Sequence, residues 1–328
     1  MPLLATDIVF RKSRLISDLE PAQNGGRMSA TAIADGVKNA LFPDVTQAMR
    51  DAGATTWRKV FIHMANADTT ALTDARACLA GPSPAGTYVL IYPGTASDTE
   101  ADITASYRPY GVGTLTAAIG PGATSIILAG EAPAAYAIEQ PFRVGDAIRI
   151  AEGAAEHFDT LSNVVYNADN TITLTLQTGA GQSFTAAAVV TGLVQASSIA
   201  ASVDGLNVTS AAGTLDPAGI ELTNKGAIEE TWTLTFTSAT DYTLAAVGLG
   251  EVGAGNTASD LAPTNPDMAA PYLTLRSTGF GGTFAAGDSV TFSTHPAALP
   301  LWYKRVTPPG TGTAANDGVW VDIMGEVV

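Results

Sequence analysis

The chain has 328 residues and a mass of 33.4 kDa, and its 46% hydrophobic content and mean hydropathy of +0.19 exclude a disordered polymer. Only 14% of the residues are charged, and acids outnumber bases 31 to 16 for a net charge of −15. Such a surface repels a phosphate backbone rather than gripping it, and no apolar run is long enough to be a membrane-spanning helix.

At the N-terminus Leu3 and Leu4 precede Arg11, Lys12 and Arg14, the reverse of a signal peptide, so a cytoplasmically made, soluble protein is expected. The segment from Phe10 to Arg27 reads as a basic, Gly-rich arm able to reach an acidic neighbour. Ser29 to Leu41 is Ala-rich and reads as a helix broken at Gly36 and ended by Pro43. Asp44-Val45-Thr46-Gln47 pairs a capping residue with Gln three positions on, which predicts a two-turn helix stopped at Gly53.

Beyond Gly53 the pattern changes to a period of two. Thr55 to His63 and Tyr88 to Ile91 read as strands, and Thr171 to Leu176 and Thr231 to Thr237 alternate Thr with Ile, Leu, Trp or Phe. Asn167-Ala168-Asp169-Asn170 supplies a hairpin turn, since Asn and Asp tolerate left-handed backbone. The predicted class is all-β, built of β-barrel or β-sandwich units, with one or two short helices near the N-terminus.

Three units are expected: 1–110 with the arm and helices, 111–200 as a small barrel-like unit, and 201–328 as a C-terminal sandwich or barrel. Phe142-Arg143-Val144-Gly145-Asp146 and Phe284-Ala285-Ala286-Gly287-Asp288 echo one another, each launching an alternating strand; duplication and convergence on one turn both explain this. Residues 250–271 read as a long irregular loop in subunit contact, with Asn265 and Asp267 as contact candidates beside Arg11, Lys12, Arg14 and Arg27 of the arm. The second half, 150–328, carries 4 basic and 17 acidic groups, so the two halves are expected to face different surroundings.

Chemistry-bearing patterns are sparse. His63, His157 and His295 are scattered without ligand spacing, and the single Cys78 makes neither an internal disulfide nor a zinc site, so no metal or cofactor is expected. Gly248-Leu249-Gly250-Glu251-Val252-Gly253 matches a dinucleotide fingerprint, but Pro263 and Pro266 follow and no helix can start there to hold a pyrophosphate. Asp98, Glu100 and Asp102, and Glu229 with Glu230, are the closest carboxylate groupings, but the sequence shows no cleft to shift a pKa; the first three read as a solvated acidic loop, with weak Ca²⁺ binding the competing reading. Trp302 is expected inward and Tyr303 outward on a late strand. No catalytic residue is expected.

Asp7-Ile8-Val9-Phe10-Arg11-Lys12-Ser13, Asn24-Gly25-Gly26-Arg27-Met28, Phe42-Pro43-Asp44-Val45 and Trp57-Arg58-Lys59-Val60-Phe61 resemble the virion structural proteins of Mu-like long-tailed bacteriophages and prophages. So do Gly36-Val37-Lys38-Asn39, Asn224-Lys225-Gly226-Ala227-Ile228-Glu229-Glu230 with Trp232, and Phe284 to Phe292 with Leu301-Trp302-Tyr303. The resemblance implies a tail structural protein located in the virion, a homo-oligomer assembling as a ring, trimer or hexamer, with other phage tail proteins as partners. A major tail tube protein, through which DNA passes without specific binding, is the leading expectation. Baseplate or distal tail components, a capsid decoration protein and a cell-surface-binding tail protein are the alternatives. Two unequal β units per chain, suggested by the length and the Phe-x-x-Gly-Asp echo, would suit a trimeric ring with pseudo-sixfold walls.

Overall fold

Tyr88-Val89-Leu90-Ile91-Tyr92 is apolar at every position because both faces of its strand are covered. Val89 and Ile91 enter one core, while Tyr88, Leu90 and Tyr92 enter another. The computed structural model describes residues 3–131, 133–315 and 317–327, and this strand lies at the junction of two of its three units.

The central unit is a pair of sheets. Five strands run in the order Gly25–Ala32, Ile8–Leu15, Ala54–Met64, Ala298–Thr307 and Tyr88–Pro93; three more run in the order Val194–Ile199, Leu72–Leu79 and Val321–Val327. Val60, Ile62, Leu72, Ala77, Ile91 and Leu301 form their common core. The second unit is a closed barrel of six strands, Val112–Leu115, Ser125–Gly130, Ala147–Glu152, Ala155–Tyr166, Thr171–Leu176 and Val189–Gly192. Its core of Leu128, Phe142, Ile150, Leu174 and Val190 continues into Trp302 of the central sheet. The third unit is a five-stranded antiparallel sheet, ordered Ser202–Thr209, Ser289–His295, Glu230–Phe236, Asp241–Ala246 and Gly250–Asn256, with three two-stranded ribbons. Trp232, Leu234 and Phe236 supply its buried face, and Phe236 stacks on Phe284 at 3.7 Å. The all-β class is therefore observed.

Barrel and third unit are both insertions into the central one. The barrel lies between Tyr88–Pro93 and Val194–Ile199, the third unit between Val194–Ile199 and Ala298–Thr307. Residues 298–327, grouped from sequence with 201–297, thus hydrogen-bond into the central sheets. Burial on both faces explains the return: Trp302 packs toward the barrel, and Tyr303, expected outward, is only 1% exposed in the central core.

Other expectations fail where distant pairing overrides local composition. The basic arm is no arm; Ile8–Leu15 is a strand bonded to both Gly25–Ala32 and Ala54–Met64. The expected helix from Ser29 to Leu41 is absent, because Ser13 pairs with Met28 and Arg11 with Ala32, extending a strand into it. The two-turn helix does form, as Gln47–Ala52, with Thr46 rather than Asp44 as its cap: Thr46 Oγ1 accepts from Met49 N at 3.2 Å. A second helix, Pro133–Glu139, lies outside the N-terminal region where short helices are expected; it buries Tyr136 in the barrel. Residues 250–271 hold the strand Gly250–Asn256 and a small hairpin pairing Thr264 with Pro271.

The Gly-Asp echo is a real structural repeat of one turn. Asp146 N donates to Arg143 O, and Asp146 Oδ2 accepts from Arg143 N at 2.6 Å; Asp288 N donates to Ala285 O, and Asp288 Oδ2 accepts from Ala285 N at 2.9 Å. Gly145 and Gly287 have φ of 89° and 93°, the left-handed position of a type II turn. In the barrel the turn is bonded to a later strand at Leu161, in the third unit to an earlier strand at Phe236. The surrounding topologies therefore differ, which favours convergence on the turn over duplication of a unit.

Glu131 joins the barrel to the central unit. Its carboxyl accepts from Ser83 N and from Val89 N at 3.4 Å, while Ser83 Oγ also donates to Asp317 Oδ1 at 2.6 Å. Burial, with Asp317 adding to it, pushes the Glu131 carboxyl up from 4.5 to about 7 against these hydrogen bonds. The unfolded chain ionises this group first, so stability falls as pH rises from 4.5 to about 7, by about 3 kcal/mol in all. Glu131→Gln is expected to remove that fall and to unfold at higher temperature than the parent at pH 8, as read by calorimetry.

Candidate functional site

The residues singled out as subunit contacts lie mostly along the seam between the central and third units. Arg27 Nη1 donates to Glu230 Oε2 at 2.6 Å, and Glu230, with its side chain fully buried, also accepts from Gly248 N at 3.1 Å. Arg11 Nε donates to His63 Nδ1 at 2.9 Å and its Nη1 to Ala30 O at 2.6 Å. Asn265 is turned inward, its Nδ2 donating to Gly226 O at 3.1 Å. Lys12 is half-buried; Arg14 and Asp267 are exposed. Arg14 borders a crevice with Arg27, Met28, Ile228, Glu229 and Pro296 that has room for about one water molecule.

Asn224, fully buried, is the densest point of the seam. Its Nδ2 donates to Asn66 Oδ1 at 2.9 Å and to Thr70 O at 2.8 Å, its Oδ1 accepts from Ala201 N at 2.8 Å, and its backbone N donates to Asp68 O at 2.9 Å. Since His63 Nδ1 is occupied by Arg11, the proton is on Nε2, which donates to Asn224 O at 2.8 Å. Next to it, a Cβ on Gly226 would stand 1.9 Å from Pro271 O, so only glycine fits this crossing. Met268 of the 250–271 segment packs on Met28 and Phe61, so this segment is ordered by another unit of its own chain.

Burial, aided by the nearby Arg11 charge and opposed by the Asn224 hydrogen bond, pushes His63 down from 6.5 to about 4. The unfolded chain takes up this proton first, so stability present above pH 6.5 is lost as pH falls toward 4, by about 3 kcal/mol. His63→Gln is expected to flatten the acid limb of a plot of unfolding midpoint against pH in that window.

The carboxylate groupings do not converge on a common point. Asp98 is 2.6 Å from Lys59 Nζ in the core, Glu100 accepts from Asn24 Nδ2 at 2.7 Å, and Asp102 accepts from Thr99 N at 2.8 Å. Asp98 is thus a buried structural acid, not the solvated one expected. Glu229 hydrogen-bonds His295 Nδ1 at 2.8 Å, away from the Glu230–Arg27 pair. Burial works against charge on His295, yet Glu229 and Asp204 outweigh it and raise its pKa. Among the described residues no group of three His, Cys, Asp or Glu side chains is placed to hold a metal ion. Gly250 of the glycine fingerprint opens a strand, not a helix.

One open cleft of about 650 Å³ is lined by Gly53, Ala54, Tyr88, Val306, Thr307 and Pro308 among others. Among the described residues its one titratable lining group is Tyr88, pushed up to about 12 by burial, with the Glu139 and Glu131 charges adding to it, and so held protonated at neutral pH. The cleft supplies apolar contact and hydroxyls.

Charge is distributed by unit. Residues 1–110 and 298–328 carry 12 basic and 14 acidic groups, 111–199 carry 2 and 7, and 200–297 carry 2 and 10. Within the barrel the charge is confined to one side, since 109–130 and 170–203 contain no Asp, Glu, Lys or Arg. Arg149 reaches from the barrel to Asp322 of the central unit at 2.7 Å, and Arg76 of the central unit lies over Phe158 of the barrel at 5.5 Å. Among the described residues no helix is long and apolar enough to cross a membrane.

No protein-family model matches the chain, and no curated protein matches it. Among solved structures it is similar to VP17, a capsid protein of bacteriophage P23-77, at 10% identity over 77% of this chain and 96% of that one, with a TM-score of 0.15. It is also similar to the complex of the two major capsid proteins of that phage, VP16 and VP17, at 8% identity over 77% and 99%, with a TM-score of 0.16.

Proposed function

We propose that this chain is a structural subunit of a phage virion, and within it the tail tube protein that stacks in rings around a DNA-conducting lumen. The observation that carries this reading is the concentration of negative charge on the two inserted β units, 17 acidic groups against 4 basic, while the central unit that holds them is nearly balanced. An anionic wall lets a phosphate backbone slide without adhering. The resemblance of the segments around Arg11, Arg27, Lys59 and Asn224 to virion structural proteins supports the same reading, and in the fold these segments meet in the central unit and its seam. The placement of the polar groups agrees with it: Asp98, Glu230, His63 and Asn224 are each tied to partners in the chain.

Purified protein, imaged by negative stain over a range of concentrations, is expected to form rings or tubes of uniform width. Monomers at every concentration would reject self-assembly. Labelling of particles at the head instead of the tail would reject the tube, and only a few copies per tail would place the chain in a baseplate. Six chains per ring would reject the pseudo-sixfold trimer, and three would support it. Ring symmetry is to be read from the images.

A further inference from the structure

We propose that Lys59 and Asp98 form a modification site, at which the lysine amine condenses with the aspartate carboxyl into an amide cross-link inside the central unit. Their side chains are 0% and 4% exposed, and Lys59 Nζ stands 2.6 Å from Asp98 Oδ1. Among the described residues the other lysines paired with acids meet more water: Lys38 and Asp44 are both exposed, and Lys304 and Glu139 keep 16% and 26%. Water hydrates both ions and returns an amide to its parts, so its exclusion sets the first pair apart.

The surroundings suit the reaction as well as the pair. Asp98 Oδ2 accepts from Trp302 Nε1 at 2.9 Å and from Tyr107 Oη at 3.0 Å, two donors on the oxygen that becomes an oxyanion. Asp98 Oδ1 accepts from Thr95 N at 3.1 Å, and Asp98 N donates to Thr95 Oγ1 at 3.1 Å, which fixes the carboxyl in place. Lys59 Nζ donates two of its protons to Gly26 O at 2.7 Å and Asp98 O at 2.9 Å. The third proton faces Oδ1, and its removal leaves the nitrogen lone pair aimed at that same carboxyl. Burial lowers the Lys59 pKa against the pull of Asp98, which eases the removal.

The step balances without a co-reactant. A proton passes from Nζ to Oδ1, leaving a neutral amine beside a neutral acid. Nζ then attacks Cγ, and the carbonyl electron pair moves onto Oδ2, where the Trp302 and Tyr107 donors receive the charge. A second proton moves from the nitrogen to Oδ1, the Cγ–Oδ1 bond breaks as the Cγ–Oδ2 double bond reforms, and one water leaves. The ammonium starts with three acceptors, so the first transfer is slow: freshly folded chains hold the ion pair and aged chains accumulate the amide. The new bond ties the strand Ala54–Met64 to the turn that follows Tyr88–Pro93.

Intact-mass spectrometry of the full chain, held folded at neutral pH and sampled over days, tests this. The expected result is loss of the mass of one water, with a branched proteolytic peptide joining the segments that carry Lys59 and Asp98. A chain kept in denaturant for the same time is expected to hold its full mass, because residues 39 positions apart meet only in the fold. Tyr107→Phe removes one donor from Oδ2 and is expected to slow the loss by on the order of a hundredfold while the chain still unfolds cooperatively. Full mass in the aged folded chain, or equal loss from the denatured one, overturns the proposal. So does a water lost elsewhere, such as by closure of the Thr99 nitrogen on the Asp98 carboxyl, a route opposed by the bond from Thr99 N to Asp102 Oδ2 at 2.8 Å. Equal rates in the parent and Tyr107→Phe overturn the assignment of Oδ2 as the oxyanion.

Discussion

Replacing Asp98 by Ala is expected to destabilise the protein by about 3–5 kcal/mol, the effect of leaving one partner of a buried ion pair alone. Asp98 Oδ1 is 2.6 Å from Lys59 Nζ, and its Oδ2 accepts from Trp302 Nε1 at 2.9 Å and from Tyr107 Oη at 3.0 Å. Lys59 also donates to Gly26 O and Asp98 O and lies 4.9 Å from the Phe61 ring centroid. Burial already lowers the Lys59 pKa against the pull of Asp98, so removal of the carboxylate leaves a charge that the core can hold only by shedding its proton. The double replacement Lys59→Met with Asp98→Asn is expected to lose much less, because no charge remains and the Asn carbonyl still accepts from Trp302. Calorimetry of the single and double variants decides the point. Equal losses would mean that the charges themselves contribute little.

Asn224→Ala is the second large effect, again about 3–5 kcal/mol, from stranding buried groups on both sides of the seam. The Ala201 N–H would lose its acceptor and the Asn66 Oδ1 its donor, while Thr70 O would keep the Asn66 Nδ2 donor at 3.2 Å. These groups join a residue of the third unit to the central unit, so the change is expected to loosen the two from one another before either melts. Limited proteolysis reads this directly: cleavage near 200–201 and 296–298, where the third unit enters and leaves, should accelerate ahead of cuts within its sheet. A variant in which all sites are cut together would show that the seam and the units unfold as one.

Much of the β-structure was legible because it is locally encoded. Thr171–Leu176 has the predicted bounds, since strict alternation against a buried face needs no information beyond the strand itself. The short helix before Gly53 was legible from its cap, with the capping role displaced from Asp44 to Thr46. The Ala-rich stretch after Ser29 misled because Ala has high helix propensity, a weak preference that pairing with Ile8–Leu15 overrides. Arg11, Arg27 and Asn265 stand out in the sequence by charge or loop position, which does not separate a contact with another chain from one with a distant part of the same chain. Asn224, Gly226 and His63 carried no such signal; Asn224 and Gly226 surfaced only within a motif resembling virion proteins.

By itself the sequence determined the all-β class, the acidic character of the second half, and the turns and alternating strands that need only neighbouring residues. Tertiary structure alone decided that 298–327 close the central sheets, that both outer units are insertions, and that Asp98 and Glu230 are buried ion-pair members rather than surface acids. The physical reason is range. Alternation and capping are set within a few residues, whereas strand partners and charge neighbours are chosen by burial across the whole chain, as when Trp302 meets Asp98 or Arg27 meets Glu230.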